Sequence, residues 1–166
     1  MKLNDIDLSN IKLVIFDFDD TLAIHKDKEF SKHRSESEEN FINFYFNAYT
    51  DPYSFYDVVE PCTKSEVLYN LIGILRSKNI KMYCLSGMKF TFHLKAKQSF
   101  INKYYGEGIE VISTSSRELK LKGLKVLQRI NNCNLDEVLL IDNRQDVIDL
   151  LTNNGIKGIN IEDLTM

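Results

Sequence analysis

Apolar and polar positions alternate along the chain in blocks that read as strands and helices in turn. Ile11-Lys12-Leu13-Val14-Ile15-Phe16 is a nearly continuous apolar run, as a strand buried on both faces requires. Ile80 to Leu85, Gly108 to Ile112 and Glu137 to Ile141 repeat that character, and Ile156 to Ile161 gives a shorter fifth run. Between them lie helical spacings. Val67, Leu68, Leu71, Ile72 and Leu75 form one face before the second run. A Lys-rich segment from about Phe90 to Tyr104 carries Phe92, Ala96, Phe100 and Ile101 or Tyr104 on one side. Leu124, Val126, Leu127 and Ile130 mark a third helix. Val147, Ile148, Leu150 and Leu151 mark a fourth, stopped by Asn153-Asn154-Gly155. Strands alternating with helices predict an α/β fold: a parallel sheet covered by helices.

One stretch breaks the rhythm. From His25 to about Thr63 the chain is far longer than an ordinary strand-to-helix connection. It begins polar and then turns aromatic, with Phe41, Phe44, Tyr45, Phe46, Tyr49, Tyr53, Phe55 and Tyr56. Ser35 or Ser37 is placed to cap a helix running through Glu38 to Tyr49. Residues 24–63 are read as a small cap-like insertion in a single domain spanning 1–166, lying beside the carboxyl end of the first strand; the alternative is an irregular excursion that packs an extra helix on the sheet.

Composition narrows the class further. The 166 residues are 43% hydrophobic and 27% charged, which suits a globular domain rather than a disordered chain. A formal charge of −3 gives no overall attraction to nucleic acid. The apolar runs are too short to span a membrane. The first residues lack a secretion-signal layout, and Cys62, Cys84 and Cys133 are too scattered for a disulfide framework. The expectation is a cytoplasmic protein whose oligomeric state the sequence leaves open.

The chemistry sits at strand ends. Ligands of open α/β sheets bind outside the carboxyl ends of the strands. The first strand ends in Asp17-Phe18-Asp19-Asp20-Thr21-Leu22, the second in Leu85-Ser86-Gly87, and the fourth in Ile141-Asp142-Asn143-Arg144-Gln145-Asp146. Neighbouring buried carboxylates need a cation, and oxygen donors without a matching His/Cys set suit Mg²⁺. Asp17 is then a nucleophile toward phosphorus, and Asp19 an acid and base for the leaving oxygen and water. Ser86 is placed to hydrogen-bond a phosphoryl oxygen.

Asp17-Phe18-Asp19-Asp20-Thr21 resembles the DxDxT signature of the haloacid dehalogenase (HAD) superfamily. Leu85-Ser86-Gly87 is similar to its second motif, and Leu140-Ile141-Asp142-Asn143 with Asp146 to its acidic fourth. The likeness runs from Ile11 to Ile161 outside the insertion. It implies a three-layer Rossmann-like parallel sheet in the order 5-4-1-2-3, flanked by helices, with a small helical insertion after strand 1. It also implies a metal site of Asp17, Asp19 through its backbone carbonyl, and Asp142, with Asn143 or Asp146 supporting it or ligating in its place. Thr21 supports the loop, and Thr21, Ser86 and Gly87 line the phosphoryl site. The family's third motif is a lysine, for which Glu118-Leu119-Lys120-Leu121-Lys122-Gly123-Leu124 offers Lys120 as a catalytic group, with Lys122 as the alternative. Asn143 departs from the commoner double-Asp form.

The reading that follows is a Mg²⁺-dependent hydrolase of phosphomonoesters, acting on a phosphorylated small molecule through an aspartyl-phosphate on Asp17. Asp19 favours phosphate over halide chemistry, because an alcohol leaving group needs a proton. A receiver domain would need its accepting Asp at the end of a middle strand, and a P-loop kinase would need GxxxxGK[ST], which does not occur. A catalytically silent HAD-like binding or scaffold protein is the alternative. The remaining candidates read first as ordinary residues: His25, His33 and His93 as surface histidines, Lys89, Lys95, Lys97 and Lys103 as a solvated helix face, and Cys84 as a small buried apolar group; the alternatives are a substrate contact for His25, close to the first motif, and attraction of an anionic substrate by the lysines.

Overall fold

A computed structural model describes residues 1–26, 57–87, 92–114 and 118–166. Five parallel strands form the central sheet: β1 (Leu13–Phe16), β4 (Lys81–Gly87), β5 (Ile109–Thr114), β6 (Val138–Asp142) and β7 (Lys157–Asn160). Two further strands, β2 (Ala23–His25) and β3 (Val59–Pro61), pair antiparallel in a separate two-stranded sheet. The order of the main sheet is β5-β4-β1-β6-β7. It differs from the expected 5-4-1-2-3 in its strand numbers because β2 and β3, unforeseen in the sequence pattern, take two places in the count. Among the described residues four α-helices connect the strands: α1 (Ser65–Ser77), α2 (Phe92–Tyr105), α3 (Glu118–Ile130) and α4 (Gln145–Thr152).

All four residues of β1 are buried, so the strand has a core on each side. Side chains of a strand alternate between faces. Val14 and Phe16 join Met82, Cys84, Leu139 and Ile141 in one core, roofed by α1 through Leu68, Leu71 and Leu75 and by α2 through Phe100, Ile101 and Tyr105. Leu13 and Ile15 join Leu85, Val138 and Leu140 in the other, against Leu124 and Leu127 of α3 and Val147, Ile148 and Leu151 of α4. The result is a helix–sheet–helix sandwich. Among the described residues no helix is long and apolar enough to cross a membrane.

Several side chains depart from the sequence pattern. Val126, Ile130 and Leu150 are exposed rather than core. Helix α3 starts at Glu118, well before Leu124, and its buried line runs Lys120, Leu124, Leu127. His25 and His93 are buried, not surface residues, and so is Lys97. His33, Lys89, the helix expected from Glu38 to Tyr49 and the aromatic run Phe41 to Tyr56 lie outside the described residues. At the root of that segment, Lys26 N donates to Val58 O (3.0 Å) and Cys62 N to Leu22 O (3.2 Å).

Two tests follow from this packing. A Cβ on Gly158 would stand 2.7 Å from Ile148 Cγ2, where β7 meets α4. Gly158→Ala is expected to destabilise the fold by about 1–3 kcal/mol, read as a lower midpoint in urea unfolding. Burial, and then the Lys97 ammonium one turn on, push the His93 imidazole from 6.5 down to about 4. Between those values the unfolded chain takes up a proton that the folded chain refuses, so stability falls as pH drops through the window. His93→Gln is expected to flatten that dependence in denaturation curves taken from pH 7.5 to about pH 4; an unchanged slope would show that His93 is not its source.

Candidate active site

The topology sets β1 between β4 and β6, with Phe16 level with Cys84 on one side and Ile141 on the other. Asp17 follows directly, its N–H donating to Ile141 O (2.9 Å), so it continues the strand beside Asp142. The chain then closes a tight turn. Phe18 O accepts from the amides of Thr21, Leu22 and Ala23 at 3.3, 2.9 and 3.0 Å. Asp20 lies at φ 61°, a left-handed conformation that Asp tolerates better than most residues. Thr21, fully buried, fixes this turn to the end of β6: its Oγ1 accepts from Asn143 N at 3.0 Å.

Three acids and two lysines meet along this edge. Lys120, from the first turn of α3, donates to Asp17 Oδ1 (2.8 Å) and to Asp142 Oδ2 (2.5 Å). Lys97, from α2, donates to Asp19 Oδ2 (2.9 Å) and to Ser86 Oγ (2.7 Å), and its ammonium stands 4.5 Å from the centre of the Phe18 ring. Asp17 and Asp19 thus take different cations. His25, on β2, brings Nε2 within 3.8 Å of Asp19 Oδ1.

Burial dominates the electrostatics. Asp142 is wholly inaccessible, and burial followed by the nearby Asp17 raises its carboxyl above the usual range. Burial works against the Lys120 charge, but the Asp17 and Asp142 carboxylates outweigh it and hold the ammonium well above the ordinary lysine value. Burial, and then Asp17, push up the Cys84 thiol beneath the site, which stays protonated.

Among the described residues no three side chains of His, Cys, Asp or Glu converge as a metal-binding group. The carboxylates of Asp17 and Asp142 converge as a pair on Lys120. The Asp19 side chain turns instead to Lys97. Asp142 Oδ1 accepts from Arg144 N at 3.0 Å. Asp146 is exposed and meets the Arg144 guanidinium at 2.5 Å.

Of the two candidate lysines, Lys120 reaches the acids while Lys122 is exposed, two residues along the helix and so turned away. Gly87 is exposed at the end of β4, and Ser86 is fully buried beside it. The residue sequence reasoning missed is Lys97, assigned to a solvated face yet only 1% exposed. Its signal was present: His93, Ala96, Lys97, Phe100 and Ile101 share the buried face of one helix, a stripe in which a lysine is the anomaly.

No protein-family model and no curated protein matches the chain. Solved structures do. A phosphoserine phosphatase, captured as an analogue of its phospho-aspartyl intermediate, superposes with a TM-score of 0.59 at 16% identity, over 93% of this chain and 92% of that one. A HAD-family enzyme of Bacteroides thetaiotaomicron, solved with magnesium and inorganic phosphate, gives 0.56 at 14%, over 90% and 93%. The N-terminal part of a Bacteroides fragilis protein, containing a phosphatase domain and complexed with Mg, gives 0.55 at 9%, over 90% of this chain and 35% of that one. The strand order, the turn after β1 and these likenesses agree on one architecture: the chain has the fold of the haloacid dehalogenase superfamily.

Proposed function

We propose that the protein is a Mg²⁺-dependent phosphatase that hydrolyses a phosphomonoester of a small molecule through an aspartyl-phosphate on Asp17. The observation that carries this reading is the separation of the two acids: Asp17 pairs with Lys120 and Asp142, whereas Asp19 pairs with Lys97. Carboxylates in different settings take different roles.

In the first step an oxygen of Asp17 attacks phosphorus and the ester P–O bond breaks. The leaving oxygen takes the proton from Asp19. In the second step the Asp19 carboxylate removes a proton from water, the hydroxide oxygen bonds to phosphorus, and the P–O bond to Asp17 breaks. Inorganic phosphate leaves, and both acids return to their starting states. Ser86 and Lys120 hold phosphoryl oxygens, and Gly87 keeps the strand end clear of side chain.

The donor set fits magnesium: paired carboxylates of Asp17 and Asp142 with the Asp19 carbonyl, all oxygen, with Asn143 close by. When bound, Mg²⁺ supplies positive charge that screens the acids and the phosphoryl oxygens from one another. The magnesium and phosphate of the Bacteroides thetaiotaomicron enzyme support this assignment.

Phosphate release from a panel of phosphorylated metabolites tests the reading. Asp17→Asn is expected to reduce turnover by at least about 10³-fold and Asp19→Asn by about 10²–10⁴-fold. EDTA is expected to abolish release and added Mg²⁺ to restore it. A protein that binds phosphorylated ligands but releases no phosphate with Mg²⁺ present would be the silent binding form instead.

A further inference from the structure

We propose that Lys97 is a positioning residue, one that sets the Asp19 carboxylate against the leaving group and turns the Ser86 hydroxyl hydrogen toward the phosphoryl group. The inference rests on the phosphatase reading of the site and adds a second cation to it.

Location is the first argument. Lys97 lies on the core-facing stripe of α2 between Ala96 and Phe100, where Leu or Met would pack without desolvating a charge. Lys95 and Lys103 on the same helix are exposed. Burying an ammonium is costly unless its hydrogen bonds are good. Here they are good: 2.9 Å to Asp19 Oδ2 and 2.7 Å to Ser86 Oγ, with the Phe18 ring 4.5 Å away. A helix that only covered the sheet would gain nothing from such a residue.

Direction is the second. An ammonium has donors and no acceptor. Ser86 Oγ must therefore accept from Lys97, and its single hydrogen leaves along another line. A serine at the end of β4 held in this way presents a donor to an anion. The same ammonium fixes one oxygen of Asp19, which leaves Oδ1 on the side of His25. Ser86 belongs to β4 and Asp19 to the turn after β1, and Lys97 is the group that ties their geometry together.

Lys120 cannot substitute, because both its recorded partners are Asp17 and Asp142. The two lysines therefore serve different halves of the reaction. Lys120 belongs to the nucleophile, and Lys97 to proton delivery and phosphoryl orientation.

Leaving-group dependence separates this role from packing. p-Nitrophenyl phosphate releases an acidic phenol that needs little protonation, whereas glycerol 2-phosphate releases an alkoxide that needs it fully. For Lys97→Met and Lys97→Gln, kcat on glycerol 2-phosphate is expected to fall about 10²-fold and kcat on p-nitrophenyl phosphate less than about 10-fold, with KM little changed. Asp19→Asn is expected to show the same selectivity, and Asp17→Asn to lose both substrates alike. Equal losses on the two esters, or a rise in KM alone, would overturn the positioning role in favour of packing or direct phosphate binding. Loss of the folded state in both Lys97 variants, seen by circular dichroism, would also overturn it. Failure of the wild type on both esters with Mg²⁺ would instead refute the phosphatase reading beneath it.

Discussion

Carboxylates cannot gather in a dry place unless positive charge comes with them, and the organisation of this site follows from that constraint. Two like charges about 4 Å apart repel by ~4 kcal/mol at an effective dielectric constant of about 20, before desolvation is counted. Asp142 is completely buried and Asp17 nearly so, and each lies within hydrogen-bond reach of the Lys120 ammonium. Asp19, two residues further on, is drawn to Lys97. The chain answers the problem with its own cations, one for each half of the acidic turn.

The backbone delivers these groups from five separate elements. The turn after β1 and the end of β6 supply the acids, β4 the serine, and α2 and α3 the lysines. Lys120 occupies the first turn of its helix, where the macrodipole disfavours a positive charge. Only the carboxylates opposite make that placement favourable, so the helix start is tied to the site rather than to helix propensity. Thr21 performs a related service on the acidic side. By accepting from Asn143 N it locks the turn after β1 to the end of β6, which keeps Asp17 and Asp142 in register as neighbours.

The acids, the serine and the alternation of elements were legible in the sequence because each rests on a local pattern. Asp17, Asp19 and Thr21 sit on a short turn after an apolar strand, and Ser86 ends another. The lysines were harder, since a lysine looks alike in solvent and in a core. Lys120 and Lys122 differ only in which side of α3 they occupy, and that depends on where the helix begins. Its start at Glu118 puts Lys120 in line with Leu124 and Leu127, whereas the exposed Val126 and Ile130 show that hydrophobicity alone misjudged the buried face. Lys97 was hidden by its neighbours in sequence, Lys95 and Lys103, which are solvated as expected. His25 escaped notice for a further reason: its burial comes from the packing of β2 beside Asp19, which no spacing within one element encodes, whereas His93 shares the buried stripe of Lys97.

The charge balance also bears on what the site accepts. With Asp17, Asp19 and Asp142 ionised against Lys97 and Lys120, the cluster carries one negative charge in excess. A phosphoryl dianion would be repelled by it. A divalent ion beside Asp17 and Asp142 would reverse the sign and leave one positive charge facing the substrate. In the proposed reaction Asp19 first takes up a proton, and its transfer to the leaving oxygen offsets negative charge where the ester bond breaks. The lysines alone stabilise the folded acids, but they fall short of the charge that an anionic ester requires. For that reason the same arrangement that lets the acids be buried also makes the proposed phosphatase dependent on a metal.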